Sequence, residues 1–210
     1  MRYFNSLPYL ITTDYNGNTY ALKNLLIRTE LIPQLAKNPL IFYQYALQDG
    51  DTPEIVANKY YSDSYRYWIV LYGNSNILDP QLDWPYSNQQ FQAYLIDKYS
   101  EAAGGAENVL GYTQFALHHY EKVTTTIDND SGTTAIKTVE IDADTYHSIV
   151  PFTQTQTFSD GSSVTYTLST NLVTIYDYEY NVNEAKRNIN IINSNFANAL
   201  ETQYKNLVSK

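Results

Sequence analysis

Apolar and polar residues follow first a strand pattern and then a helix pattern in the N-terminal half of the chain. The aromatic and apolar run 42–47 is typical of a strand, and residues 48–51 have the composition of a turn. Thr52 stands where a helix N-cap is needed, and Pro53 fills the first helical position, where its missing N–H costs nothing. The pattern therefore predicts a strand, a tight turn and a helix over residues 53–61.

Two more helices follow in the same half. Residues 65–72 carry aromatic and apolar side chains at helical spacing, and Gly73 can end this helix. Ser87 stands as the N-cap of a third helix, which we expect to run to Tyr99. The local order is therefore one strand followed by three helices.

The period of the apolar positions changes to two in the second half. After a linker predicted at residues 102–111, segments 123–127 and 135–141 flank a turn-forming sequence, and so do segments 153–158 and 164–168. Alternating segments joined through Gly, Asp and Ser are typical of β-hairpins. We therefore expect two hairpins in a β-rich insert.

The last 30 residues return to a helical period. Asn181 is the predicted N-cap, and Glu184 stands three residues further on, as in a capping box. Apolar residues then recur at a mean step of about 3.6 residues, at Ile189, Ile192, Phe196, Leu200, Tyr204 and Leu207. The pattern predicts one long amphipathic helix over residues 181–210, whose apolar stripe either covers the chain's own sheet or packs in an assembly.

Residues 1–40 combine apolar anchors with turn signals at Pro8 and Asn16-Gly17. They are predicted to form an extended arm with short strand or helical pieces, such as residues 22–27. An arm of this kind buries little of its own surface. We therefore expect it to lie on its own body or on a neighbouring protein.

Composition narrows the class of function. The 210 residues carry a net charge of −9 and no cysteine, which argues against nucleic acid as a partner and excludes disulfides and thiolate metal sites. The N-terminus lacks an export signal, and no apolar run approaches the ~20 residues of a membrane helix, so we expect a protein kept in a cytoplasm with no membrane partner. The 22 tyrosines suit protein interfaces and glycan surfaces alike.

No constellation of residues indicates catalysis. The adjacent His118 and His119 would point to opposite faces of a strand, and spacing places no third metal ligand near them. Gly104-Gly105 is not followed by the Lys-Ser/Thr pair of a phosphate-binding loop. We therefore predict no enzyme, no cofactor and no metal site.

One motif resembles a known module. Its residues follow the order of a LysM module and, as far as the end of the first helix, its spacing: Tyr45, Leu47, Gly50, Asp51, Thr52, Ala57, Tyr60 and Asn74. Their local roles are a turn at Gly50, a cap at Thr52 and close packing at Ala57. LysM modules complete a two-stranded sheet with a second strand, which the resemblance places within residues 77–85.

The chain as a whole is similar to the LysM-like baseplate wedge subunit of contractile-tailed bacteriophages. The similarity extends through Trp68 and Trp84 to residues 97–99 and 183–187. It implies a structural virion protein of the tail baseplate, made in the host cytoplasm, that connects other wedge proteins around the tail hub in a large hetero-oligomeric assembly. The alternative is a LysM-type binder of peptidoglycan or other N-acetylglucosamine glycans, with Asp51 and Asn74 near the sugar.

These observations predict an α+β fold with a small LysM-like βαα module. The expected segments are an arm over 1–40, the module with its following helix over 41–100, a linker and β-rich insert over 101–180, and a helix over 181–210. Module core or partner contacts are expected at Tyr45, Leu47, Gly50, Asp51, Thr52, Ala57, Tyr60, Trp68, Asn74 and Trp84. Contacts of the C-terminal helix are expected at Ile189, Ile192, Phe196, Leu200 and Leu207.

Overall fold

The computed structural model describes residues 3–27 and 38–208. The chain is a mixed α and β protein that divides into two compact units. The first unit comprises residues 1–91 together with 183–210, and the second comprises residues 92–182.

The N-terminal residues of the first unit form a β-hairpin. Strands β1 (Tyr9–Thr13) and β2 (Thr19–Lys23) pair antiparallel around a turn at Asn16-Gly17. The piece predicted at residues 22–27 is therefore the end of β2 and the turn that follows it. Part of the predicted arm falls outside the described residues.

The predicted strand and the first two helices are confirmed. Strand β3 spans Phe42–Ala46 and helix α1 spans Pro53–Tyr61, and short 3₁₀ turns precede both β3 and the next helix. The Oγ1 atom of Thr52 accepts a hydrogen bond from a backbone N–H of the first turn of α1 at 3.3 Å, as an N-cap does. Helix α2 (Tyr67–Tyr72) ends at Gly73.

Two helices follow, of which the sequence predicts one. Helix α3 (Asn88–Ala103) begins after its predicted N-cap, and helix α4 spans Val109–Phe115. The linker predicted at residues 102–111 is wrong, because this stretch holds the end of α3, a turn of two glycines with positive φ, and the start of α4. Val109 and Thr113 are buried one helical turn apart, a stripe too short for the sequence pattern to reveal.

The second unit contains a four-stranded antiparallel sheet. Its strands are β4 (Leu117–Asp128), β5 (Thr134–Ile141), β6 (Phe152–Thr157) and β7 (Ser163–Thr174), in the order β5-β4-β7-β6. Both predicted hairpins are confirmed, and the pairing of β4 with β7 joins them. Helix α5 (Ala143–Ser148) connects β5 to β6 and packs on β4 through stacked rings of Tyr146 and Tyr120, whose centroids are 4.3 Å apart.

The single helix predicted over residues 181–210 is wrong. The chain instead forms helix α6 (Ile175–Ala185), strand β8 (Asn188–Ile192) and helix α7 (Ser194–Val208). The β8 sequence Asn-Ile-Asn-Ile-Ile begins with a period of two and combines residue types with modest helix propensity. Antiparallel pairing with β3 supplies the backbone partners that stabilise β8 as a strand.

The core of the first unit lies between the β3–β8 sheet and helices α1, α2 and α7. Val56, Ile69 and Ile191 are completely buried there, and Leu7 joins them from the segment that precedes the hairpin. Among the described residues, no helix is long and apolar enough to cross a membrane.

Candidate functional site

The first unit contains a strand–helix–helix–strand module formed by β3, α1, α2 and β8. Tyr45 on β3 lies opposite Ile189 on β8 in the antiparallel register. Residues 77–85, where the resemblance places the closing strand, form turns, since the carbonyl of Asp79 accepts two backbone hydrogen bonds from residues further along this stretch. The second strand of the module therefore comes from the C-terminal part of the chain.

Asp51 is a buried carboxylate that stabilises the turn between β3 and α1. It accepts hydrogen bonds from Tyr45 Oη at 2.8 Å, Gln48 N at 3.0 Å and Lys59 Nζ at 2.6 Å. Its backbone carbonyl accepts a further one from Trp84 Nε1 at 2.8 Å. Burial by itself would raise the pKa of Asp51, but the hydrogen bonds from Lys59 and the other donors outweigh burial and lower that pKa below its usual value. The carboxylate proposed to meet a sugar is therefore engaged within the chain.

Asn74 connects the end of α2 to β8. Its Nδ2 atom donates to the carbonyl oxygens of Val70 and Asn190, each at 2.7 Å, and its Oδ1 atom accepts from Asn190 N at 2.8 Å. Gly73 permits this close approach, because a Cβ atom there would lie 3.1 Å from the carbonyl oxygen of Asn190. Asn74 therefore closes the module across a separation of 116 residues.

Trp68 lies in an aromatic cluster that joins three segments of the first unit. Its side chain is 4% exposed, and its ring centroid lies 5.6 Å from that of Tyr3, 5.0 Å from that of Tyr204 and 6.1 Å from that of Tyr72. The start of the predicted arm therefore packs on the chain's own body. Trp68 is a residue of the core.

The other predicted module residues divide between core and turn. Leu47, Ala57 and Trp84 are buried, and Gly50 adopts φ +78°, a conformation that favours glycine. Tyr60 is partly exposed and meets the ring of Tyr45 edge-on, with 5.4 Å between centroids.

The predicted C-terminal stripe does not lie on one helix face. Ile189 and Ile192 are buried on β8, whereas Phe196 and Leu207 are exposed on α7 and Leu200 is half-buried against the core. The residues that α7 buries are Ala197, Tyr204 and Val208. Because strand β8 takes the place of the first part of the predicted helix, the helical spacing counted from Ile189 does not continue into α7. The buried face of α7 therefore differs from the predicted one.

A cleft of about 630 Å³ lies beside the Asp51 turn. Residues 50–54 line one side of it and residues 84–87 line another, with the rings of Tyr67 and Trp84 among its walls. Glu54 is an acidic residue of this lining. Its walls are otherwise largely aromatic, proline and amide groups, which suit contact with an uncharged ligand.

Glu179 is the buried acid of the second unit and was missed by the sequence analysis. Its carboxylate accepts hydrogen bonds from Lys98 Nζ at 2.6 Å, Tyr99 Oη at 2.6 Å and Tyr94 Oη at 3.0 Å. Burial, together with the hydrogen bond to Glu179, raises the pKa of Tyr99 to about 12. This cluster connects α3 to α6, and two of its residues, Lys98 and Tyr99, belong to the stretch 97–99 that carried the resemblance.

The sequence predicts that the adjacent His118 and His119 point to opposite faces of a strand, and this prediction is wrong. The pairing of β4 with β7 shifts register between Leu117 and His119, and this irregularity brings the Nδ1 atoms of His118 and His119 to 2.7 Å. His118 stacks on Tyr178 with 3.8 Å between ring centroids. Across residues 3–27 and 38–208, no cluster of three or more His, Cys, Asp or Glu side chains is arranged to hold a metal ion.

The β1–β2 hairpin exposes apolar side chains on both of its faces. Leu10 lies opposite Leu22 on one face, and Ile11 lies opposite Ala21 on the other. The exposed fraction reaches 74% for Ile11 and 97% for Tyr15 at the turn. Further exposed apolar residues here are Tyr9, Tyr20, Leu25 and Leu26.

The sequence model of one protein family matches residues 2–206, nearly the whole chain, and this family is described as base plate wedge protein 53. No curated protein matches the chain.

Proposed function

The chain belongs to the base plate wedge protein 53 family and is therefore a structural component of the phage tail base plate, and we propose that it cross-links neighbouring wedge proteins around the tail hub. The contacts are between proteins, and the chain catalyses no reaction. It is made in the host cytoplasm and becomes part of the virion when the base plate assembles.

The exposed hairpin is the observation that carries this proposal. A two-stranded hairpin is at best marginally stable in water, and β1–β2 leaves apolar side chains exposed on both of its faces. Contiguous exposed apolar surface marks a site of association. The hairpin therefore docks on a neighbouring wedge protein, where Leu10, Leu22 and Ile11 become buried.

The module formed by β3, α1, α2 and β8 is proposed to be LysM-like and to act as the rigid body that carries the hairpin. Its order of elements and the Gly50-Asp51-Thr52 turn support this assignment. Asp51 and Asn74 act inside the module, as anchors of the turn and of β8. Their engagement favours an assembly role for the module over sugar recognition by these two side chains.

The test is co-purification of the chain with the other wedge proteins after replacement of Leu10 and Leu22 by lysine. We expect loss of the complex with an unchanged melting temperature, because neither side chain belongs to the core. The matched control replaces Thr13 and Thr19, an exposed pair of the same hairpin, by lysine and should leave the complex intact. A complex that survives the leucine substitutions would contradict docking through the hairpin.

A second candidate function rests on the cleft beside the Asp51 turn. Its volume of about 630 Å³ and its aromatic walls suit a short N-acetylglucosamine oligomer, as expected of a glycan-binding LysM module. Since Trp84 lines the cleft, saturable binding would change the tryptophan fluorescence during titration with such oligomers. Unchanged fluorescence and no heat of binding would remove this candidate.

A further inference from the structure

Strand β6 is an unprotected edge of the sheet in the second unit. Within the described part of the chain it pairs on one side with β7 and on the other side with no strand, and all six of its residues are exposed. An edge strand presents free backbone N–H and C=O groups that can pair with a further strand. Charged residues on such an edge prevent this pairing.

The two edges of the sheet differ in this respect. Edge strand β5 carries the exposed charged side chains Lys137 and Glu140. Residues 152–158, which comprise β6 and the next residue, contain no charged residue and no proline. Charged side chains therefore hinder the addition of a further strand at β5, whereas β6 carries none that would do so.

The sequence of the β6 edge reads the same in both directions. Residues 152–158 are Phe-Thr-Gln-Thr-Gln-Thr-Phe, a palindrome centred on Thr155. Phe158 continues the pairing beyond β6, because its backbone N–H donates to the carbonyl of Ser162 at 2.8 Å. In an antiparallel pair of identical strands related by a twofold axis, a palindrome places each residue opposite its own kind.

We propose that β6 pairs antiparallel with β6 of a second copy of this chain, with the twofold axis at Thr155. Two four-stranded sheets would then form one continuous sheet of eight strands. Phe152 would lie opposite Phe158 of the second copy, and Gln154 opposite its Gln156. Matched aromatic pairs and glutamine pairs both favour such strand association.

The threonines of β6 already form the pattern that this pairing would extend. Oγ1 of Thr153 lies 3.2 Å from that of Thr167, and Oγ1 of Thr155 lies 3.0 Å from that of Thr165 on β7. On this face the second copy would add its own threonines to the row. The strand that matches the uncharged, palindromic edge β6 is therefore β6 of a second copy of the chain.

The absence of cysteine from the chain permits a direct test by disulfide formation in the full-length protein. With Thr155→Cys, the two thiols meet at the twofold axis, where Cα atoms of antiparallel strands lie about 4.5–5.5 Å apart, a distance that a disulfide spans. We expect a covalent dimer under mild oxidation. Thr138→Cys, which changes an exposed threonine on the charged edge strand β5, is the matched control and should form no covalent dimer.

The register is tested with two further variants. Thr153→Cys alone should not cross-link, because its copies would lie about 13 Å apart along the strand. An equimolar mixture of Thr153→Cys and Thr157→Cys should form the mixed dimer. In sedimentation, the unmodified chain should behave as a dimer and the Thr155→Lys chain as a monomer.

Three results would overturn the proposal. One is a Thr155→Cys chain that forms no covalent dimer on oxidation. The same result is expected if β6 accepts a strand from a different base plate protein instead of a second copy. Another is equal cross-linking of Thr155→Cys and Thr138→Cys. The third is cross-linking of Thr153→Cys alone. The experiment uses the isolated chain, so it does not depend on hairpin docking.

Discussion

Three buried polar side chains of the first unit bind backbone groups, and two of them bind backbone groups of distant segments. Asp51 accepts from the turn, Asn74 binds both backbone groups of Asn190, and Asn183 binds both backbone groups of Tyr86, at 2.7 Å and 3.2 Å. A buried polar group is costly unless it is hydrogen-bonded. These side chains therefore determine which segments of the unit can lie side by side.

Replacement of Asp51 by asparagine should lower the free energy of unfolding at neutral pH by about 1–3 kcal/mol, because the neutral amide keeps only one of the two buried oxygen atoms that accept from three donors. The pKa of Asp51 is lowered in the folded protein from 3.8. Its contribution is therefore present above that pH and is lost as the pH falls through the lowered value. Urea unfolding at several pH values should show that the difference between variant and unmodified chain shrinks in acid.

The control for this experiment is Asp97→Asn, which changes an exposed carboxylate on α3. Its unfolding free energy should stay within about 0.5 kcal/mol of that of the unmodified chain. A difference for Asp51→Asn that does not change with pH would contradict the role of its charge.

The local roles of residues could be predicted from sequence, whereas the distant ones could not. Gly50 and Thr52 act on backbone within a few residues of themselves, so the spacing reveals their functions. Asn183 contacts a residue 97 positions away, and Glu179 contacts residues 80 or more positions away. One sequence contains no signal for such pairs.

At the scale of elements, β8 shows why the prediction of one C-terminal helix failed. Ile189 and Ile192 are three residues apart and fit a helix, while the alternation of Asn and Ile over the first four residues fits a strand equally well. Pairing with β3 decides between these two structures. Local propensity is a weak guide wherever tertiary pairing supplies the larger free energy.

Asn74→Ala should weaken the attachment of β8 to α2. The substitution leaves the backbone N–H and C=O of Asn190 without these partners, and we expect the free energy of unfolding to fall by about 1–3 kcal/mol. Hydrogen exchange of the β8 amides should increase at the same time. Asn76→Ala, at an exposed position two residues further on, is the control, and equal effects of both substitutions would contradict the proposed attachment.

At the scale of the whole molecule, the first unit is discontinuous in sequence and the second is continuous. The predicted division into an arm, a module, an insert and a helix follows the order of the chain. The structure groups the C-terminal 28 residues, 183–210, with the N-terminal 91. Sequence patterns alone do not show that two ends of a chain share one core.

A chain that ends at Arg187 should lose the fold of the first unit, because it lacks β8 and α7 with the buried Ile189, Ile191 and Tyr204. Both tryptophans of the protein lie buried in this unit, so their emission should shift to longer wavelength while the circular dichroism of the second unit's sheet persists.

The control for the truncation removes the hairpin, residues 9–23. Its flanking residues are already close, since Asn24 N donates to the carbonyl of Pro8 at 2.9 Å. Tryptophan emission should stay unchanged in this deletion. A truncated chain with native emission would show that β8 is dispensable for the core.

The position of β8 also sets an order of events during synthesis on the ribosome. Strand β3 emerges early but its partner emerges only after residue 188, when the whole second unit has already left the exit tunnel. The second unit can therefore fold first, against the usual N-to-C order, and the first unit closes last. A nascent chain thus completes the core of the first unit only after the whole second unit has been synthesised, so a pause in translation within the second unit would leave β3, α1 and α2 without their closing strand.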